Sequence, residues 1–389
     1  MASLHQVLAV TALNLRNLPS RRWASLVIVA GMAAAIGVLV SILSLAEGYV
    51  QMERRTGDPG RAIILPETAD SEGLGAISRG AIGDIVGMPG IAKDADGSAL
   101  ADAEYINTFH ADPKSGGIVR LLILRGVGRK GIAIRPELKI VAGRMFRPGA
   151  RELIIGIASQ QQFRGLEIGD KVIMEDGEWP IVGSFATGGD MLEGEMIGDA
   201  DTLMSAARKN AFHSVTVRLA GPDSLQQLQR TLAANSRLGV RVERQSDYYE
   251  RTSQDTTIFF RGIAFAVGGI MACGALFGAL NTMYSAVDAR TREIATLRAM
   301  GFGGTSVAVS VIAETVLLAL AGALTGIAIA WALFHGQRYA FAQTLFQLTV
   351  SPGLVGMGLA WALAVALLGG LLPAVRAARL PVVDVLRAV

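Results

Sequence analysis

Two long apolar runs joined by a short charged segment constrain this chain more than any other feature. Gly262 to Val287 carries no charged residue, and Thr305 to Phe334 carries only Glu314. Between them lie Asp288, Arg290, Arg292, Glu293 and Arg298. About 20 apolar residues in helical form cross the hydrocarbon core of a bilayer, where every backbone polar group must find its partner within the segment. Two more such runs occur, Ala24–Ala46 and Ser351–Val375. A cleavable signal peptide competes for the first, but its apolar core is normally about 7–15 residues, so Ala24–Ala46 reads as a retained span. The 389 residues are 51% hydrophobic with a mean hydropathy of +0.42, too apolar for an ordinary soluble domain.

The cations sort by side. Arg16, Arg21 and Arg22 precede the first run, Arg290, Arg292 and Arg298 sit in the joint, and Arg376, Arg379 and Arg387 lie in the tail. The loop 335–350 holds only Arg338. Arginines flank spans on the cytoplasmic side, which places both termini and the joint inside. A net charge of +3 therefore reads as topology and not as a nucleic-acid surface. The segments expected are a cytoplasmic amphipathic helix over 1–23, spans over 24–46, 256–287, 305–334 and 351–375, the joint over 288–304, an outer loop over 335–350 and a cytoplasmic tail over 376–389. The fold class is an α-helical membrane protein with four transmembrane helices and a large α+β extracytoplasmic domain, 47–255, between helices 1 and 2.

Within that domain the pattern predicts strands over Arg61–Leu65, Ile118–Leu124, Leu153–Ile157, Lys171–Met174, Trp179–Phe185, Ser214–Leu219 and Val240–Glu243, with Asp176-Gly177 as a hairpin turn. Helices are expected over Ile82–Val86, Ala158–Phe163, Thr202–Lys209 and Ser224–Asn235. The segment Gly188–Gly198 reads as a mobile loop whose Asp190, Glu193 and Glu195 are solvated. Tyr248–Asp255 is expected to run into the second span as one long helix. Gly274-x-x-x-Gly278 and Gly322-x-x-x-Gly326 have the spacing that lets helix backbones approach closely.

The chemistry of the chain is sparse. Cys273 is the one cysteine, and His5, His110, His213 and His335 are scattered, so no metal site is expected. No G-x-x-x-x-G-K-[ST], G-x-S-x-G, H-E-x-x-H or C-x-x-C sequence occurs, and no catalytic or cofactor-binding residue is assigned. Glu314 is an acid inside a span, where acids are costly. Three roles remain open for it: a helix–helix hydrogen bond, a pair with an arginine of the joint, or a place on a substrate path. In the joint, Ile294, Leu297 and Met300 continue an apolar stripe, and Gly301, Gly303 and Gly304 end it. This is either a charged connector that fixes topology or a short helix that receives a push from a soluble partner.

The joint sequence DARTREIATLRAMGF, with Arg290, Glu293, Ile294, Leu297, Arg298, Ala299 and Gly301, resembles the signature of the FtsX-like permease family of ABC transporters, the MacB or type VII kind. The tail PAVRAARLPVVDVLR, with Pro373, Arg376, Ala377, Arg379, Pro381, Leu386 and Arg387, is similar to that family's closing motif. The segment from Val141 to Phe185 is similar to its periplasmic core domain, whereas Asp58 to Arg135 matches less clearly. The resemblance implies a permease subunit in a bacterial inner membrane, working with a second permease copy or a homologue and two copies of a separate ABC ATPase, which binds the ATP. MacB itself carries its own ATPase, and this sequence has none. The resemblance further implies that the joint is a coupling helix, docked through Arg290, Arg292, Glu293, Ile294, Leu297, Arg298 and Met300. Motion would then pass outward by mechanotransmission, for export or for lipoprotein and lipid handling, with membrane lipids and a periplasmic adaptor or outer-membrane channel as further partners. The alternative is a signalling protein that activates a periplasmic hydrolase, as in the cell-division branch.

Overall fold

The computed structural model describes residues 22–174, 176–341 and 344–380. The expected amphipathic helix over 1–23 and the tail beyond Leu380 lie, apart from Arg22 and Trp23, outside the described residues. The chain divides into two compact units, a helical one formed by 22–47, 258–337 and 348–380 and an α+β one formed by 48–257 and 338–347.

Among the described residues, the helical unit is built on four long helices: α1 (Arg22–Thr56), α6 (Gln245–Ala289), α8 (Gly304–Phe334) and α9 (Pro352–Ala378). All four are long and apolar enough to cross a membrane. Two run well past their apolar cores into the α+β unit: α1 continues through Glu47–Thr56, and α6 begins at Gln245 as one helix of 45 residues. Within the helical unit, α1 and α8 meet backbone to backbone. A Cβ on Gly322 would lie 2.5 Å from the Val29 carbonyl oxygen, and one on Gly326 would strike the Ala33 carbonyl. Met32, Ile36 and Val40 of α1 pack there with Ala319, Ala323 and Ile327 of α8 and Ala362 and Ala366 of α9. The Gly322-x-x-x-Gly326 spacing thus serves a contact inside the chain, whereas Gly274 and Gly278 of α6 face open space.

The α+β unit is a ten-stranded mixed sheet with helices α2 (Arg79–Val86), α3 (Ile157–Gln162), α4 (Ala200–Ala206) and α5 (Ser224–Ala234). The strands are β1 (Arg61–Pro66), β2 (Ala101–Ala111), β3 (Arg120–Val127), β4 (Lys139–Gly143), β5 (Leu153–Gly156), β6 (Lys171–Met174), β7 (Gly177–Ala186), β8 (Glu195–Asp199), β9 (Ser214–Arg218) and β10 (Val240–Arg244). Their order is β10-β1-β9-β2-β3-β8-β5-β7-β4, with β6 paired to β7. The pairs β3/β8 and β5/β7 are parallel and the others antiparallel. One core gathers Trp179, Phe163, Leu122 and Leu153. Another sets Ile64, Val215 and Val217 of the sheet against Ile85 of α2 and Leu228 of α5.

Two sequence expectations fail here, and one segment gains an element that was not expected. Gly188–Gly198 is not a mobile loop with solvated acids. Asp190, Glu193 and Glu195 are all buried, and Met191–Gly194 forms a single 3-10 turn that leads into β8 in the middle of the sheet. The carboxylate of Glu193 accepts the backbone N–H groups of Thr187, Gly188 and Gly189 at 2.8–2.9 Å, which fixes the turn. β2 and β4 lie outside the expected strands: the inward positions of β2 include Asp102 and Glu104, which break the apolar alternation, and β4 is largely exposed. The loop 335–350 contains a β-hairpin, Arg338–Phe341 paired with Thr344–Gln347, that belongs to the α+β unit. It reaches the outer part of α1: Phe346 meets Tyr49 edge to face at 5.8 Å, and a Cβ on Gly48 would lie 2.5 Å from the Gln347 carbonyl oxygen.

The close approach of α1 and α8 is testable. Gly326→Val overpacks a backbone contact and is expected to cost at least about 1–3 kcal/mol, seen as a drop of several degrees in the melting temperature of the detergent-solubilised chain. Gly278→Val, with room for its side chain, should leave the melt unchanged. Equal effects at the two glycines would sink this account.

Candidate functional site

The joint folds as a helix of its own, α7 (Thr291–Ala299), between α6 and α8. α6 ends at Ala289, and the Thr291 hydroxyl donates to the Val287 and Asp288 carbonyls. α7 ends in a turn in which Gly301, at φ 96°, and Phe302 donate to the Arg298 and Leu297 carbonyls. That backbone conformation disfavours any residue with a side chain, so glycine is what lets the chain reverse into α8.

The seven residues singled out from the sequence divide between the two sides of α7. Arg290 and Ile294 point inward and are buried. Ile294 packs among Met283 and Val287 of α6 and Val307 and Val311 of α8. Arg290 pairs with Glu314, its Nη1 at 3.3 Å and Nη2 at 3.5 Å from the two carboxylate oxygens, and both side chains are only 7% exposed. Of the three roles open for Glu314, the structure gives it the pair with an arginine of the joint. Leu297 and Arg298 are half-buried, and Arg298 Nη1 donates to the Leu380 carbonyl at 2.6 Å. Arg292, Glu293 and Met300 are exposed, Met300 at 63%. Thr296 and Ala299 share the exposed side; their i+4 and i+7 spacing from Arg292 was the signal available in the sequence.

The end of α9 closes on the same place. Arg376 pairs with Asp288 at 3.1 Å and stacks its guanidinium 5.4 Å from the Tyr284 ring centre. A Cβ on Gly304 would lie 2.7 Å from the Ala378 carbonyl oxygen. The Arg376–Asp288 pair is half-exposed and contributes little, about 0–1 kcal/mol; the Arg290–Glu314 pair is the firm connection. The joint and the start of the closing motif, distant in sequence, thus form one cluster. Chemically it offers no nucleophile and no acid–base pair. It offers a short helix with its inner side bolted down and a mixed polar and apolar side facing out.

The α+β unit holds a second concentration of charge that the sequence did not signal. Arg125 of β3, fully buried, meets Glu72, Glu104 and Glu195, and Arg135 also pairs with Glu104. Burial alone would raise the Glu104 carboxyl, but the guanidiniums of Arg135 and Arg125 overcome it and hold it down at about 2. Asp102, two residues away, accepts the Gly128 N–H; burial, with the Glu104 charge beside it, pushes its carboxyl up to about 7. Asp190 is likewise pushed up to about 7, by burial first and by the Glu193 charge, against the hydrogen bond from Thr187.

Comparison with known proteins gives two family matches. The description "FtsX-like permease C-terminal" fits residues 265–382, and "MacB-like periplasmic core domain" fits residues 25–235. An uncharacterised ABC transporter permease of Bacillus subtilis (strain 168), YknZ, is 23% identical over 405 aligned positions, covering 96% of this chain and 97% of YknZ. The macrolide export ATP-binding/permease protein MacB of Shewanella sp. (strain ANA-3) is 34% identical over 140 residues, a match that covers 35% of this chain and 20% of MacB. Among solved structures, the extracellular domain of YknZ aligns at a TM-score of 0.36 with 16% identity, covering 47% of this chain and 99% of that one. The periplasmic region of MacB from Actinobacillus actinomycetemcomitans aligns at 0.38 with 12% identity, covering 51% and 94%.

Two outcomes follow from these geometries. Glu314→Ala leaves Arg290 buried without its partner and is expected to destabilise the helical unit by about 3–5 kcal/mol, while the double variant Arg290→Met, Glu314→Leu recovers most of the loss. Thermal melts of the three detergent-solubilised chains decide it, and a double variant no better than the single one refutes it. In the α+β unit, Asp102 and Asp190 have folded values raised above the unfolded one, so their contribution to stability is complete below about pH 4 and is lost as pH rises through about 7. Denaturant titrations of this unit should therefore show a fall in stability between pH 5 and pH 8 that Asp102→Asn reduces. A fall of unchanged size in Asp102→Asn would refute the assignment.

Proposed function

Since the chain belongs to the FtsX-like, MacB-type family of ABC transporter permeases, we propose that it is the membrane-spanning half of an ATP-driven machine whose ATPase is a separate subunit. The sequence given carries no G-x-x-x-x-G-K-[ST] phosphate loop, and in this reading ATP is bound by that partner. The observation that carries this reading is the two-sidedness of α7. Its inner side is fixed by the buried Arg290–Glu314 pair and by Ile294, while Arg292, Glu293, Thr296 and Met300 face outward with Leu297 and Arg298 at the edge. A helix placed only to set topology has no need of a buried ion pair beneath it. A helix that must take a load from a partner and pass it on does.

In this reading α7 lies on the cytoplasmic face of a bacterial inner membrane, both termini are inside and the α+β unit is outside. Two permease copies bind two ATPase copies. ATP-driven closure moves α7, and the pull reaches the outer unit along α6 and α1, each a single helix that continues into that unit. Work is then done on substrate outside the membrane, as export or as lipoprotein and lipid handling.

Docking through α7 has a direct test in co-purification from detergent with a bare ABC ATPase. Leu297→Asp introduces a charge at the edge of the docking face, and Arg292→Glu reverses one on its exposed side. Each should weaken capture, Leu297→Asp by about a hundredfold or more at the usual cost of a buried unpaired charge. Arg292→Glu should leave the melting temperature of the permease unchanged. Retention of the ATPase by both variants would reduce α7 to a connector.

A further inference from the structure

The outer ends of the two long helices, α1 and α6, are each anchored in the α+β unit, and both anchorages lead to Arg125. Near the start of α6, Tyr248 and Tyr249 are buried against Ile63 and Leu65 of β1. The Tyr248 hydroxyl accepts the Glu72 backbone N–H at 2.9 Å, and the Tyr249 hydroxyl donates to Glu72 Oε1 at 3.4 Å. The Glu72 carboxylate takes two bonds from Arg125, at 2.9 and 3.1 Å. From the end of α1, the Thr56 hydroxyl accepts the Met191 N–H at 2.9 Å, and Arg55 Nη1 donates to the Gly188 carbonyl at 3.3 Å. Both contacts fall on the turn caged by Glu193, which runs straight into Glu195. Glu195 takes two more bonds from Arg125, at 2.6 and 2.9 Å, and Glu104 takes one at 2.6 Å.

A guanidinium has five N–H donors in one rigid plane, and these five bonds use all of them. Arg125 therefore cannot follow Glu72 without loosening Glu195, because no spare donor exists to cover the difference. We propose that Arg125 is a positioning residue that couples the outer anchorage of α6 to that of α1, so that a displacement of one helix end is felt at the other. The proposal rests on the reading that these helices carry motion to the outer unit, and it adds where that motion is received. Two-state behaviour follows from the geometry, because planar charge-assisted bonds are lost together and not by degrees.

The test uses the full-length chain in lipid nanodiscs without any ATPase, read by amide hydrogen exchange. Removing Arg125 would leave the buried Glu195 and the partly buried Glu72 without their cation and take from Glu104 one of its two, so milder variants serve. Glu72→Gln and Tyr249→Phe act on the α6 side only. Each is expected to speed exchange in residues 187–199, the α1 anchorage, with Glu72→Gln giving about a tenfold increase, the usual loss for one charge-assisted bond. Exchange in the β6–β7 hairpin, 171–186, should not change, whereas a merely structural loosening would raise both segments together. The double variant Glu72→Gln, Thr56→Ala should fall short of the product of the single effects. Unchanged exchange in 187–199, an equal rise in both segments, or a double variant equal to the product would overturn the proposal. Because no ATPase is present, failure here leaves docking through α7 untouched, and failure of docking leaves this result standing.

Discussion

The buried pair between Arg290 and Glu314 is the constraint on which the helical unit turns. Two opposite charges, each almost fully withdrawn from solvent, hold the start of α7 against α8. In such surroundings neither charge is tolerable alone, so the pair fixes where α7 sits more firmly than apolar packing of the same area would. The rest of the joint is arranged around it. Ile294 enters the same interface from the next turn, Gly301 lets the chain reverse, and Arg298 reaches across to the Leu380 carbonyl. What remains outward on α7 is outward because its other side is committed.

Much of this could be read in advance from the sequence, for a physical reason. Four helices that must satisfy their backbone internally in an apolar medium announce themselves by length and composition. Strands β1, β5, β6 and β9 announce themselves by apolar content. Two of the strands not foreseen share a different cause. β2 and β8 were hidden because Asp102, Glu104 and Glu195 sit at buried positions, and burial of a carboxylate is legible only once its partner is known. Those partners, Arg125 and Arg135, are distant in sequence and belong to other elements. The joint was half legible. The stripe of Ile294, Leu297 and Met300 does not hold together, since six residues at about 100° each set Ile294 and Met300 some 120° apart, and they lie on different sides of α7. The glycines of α6 and α8 carried the same ambiguity, since one small-x-x-x-small spacing is packed and the other is open.

Both units use charge where apolar packing could have served for stability. Replacing a buried ion pair by well-fitted apolar residues is often neutral or stabilising, so stability alone does not account for Arg290–Glu314 or for the five bonds of Arg125. What charge adds is direction. An apolar contact tolerates sliding, because dispersion is spread over many atom pairs, each contributing only about 0.1–0.2 kcal/mol. A guanidinium seated on carboxylates tolerates almost none, since a small rotation spoils several short bonds at once. Such a contact either holds or lets go, which is the property required of a connection that must pass displacement from one element to the next. In this chain the two connections stand at opposite ends of one unbroken helix: Tyr248 and Tyr249 of α6 reach Arg125 through Glu72, and the last residues of α6 hand over to α7 at Arg290.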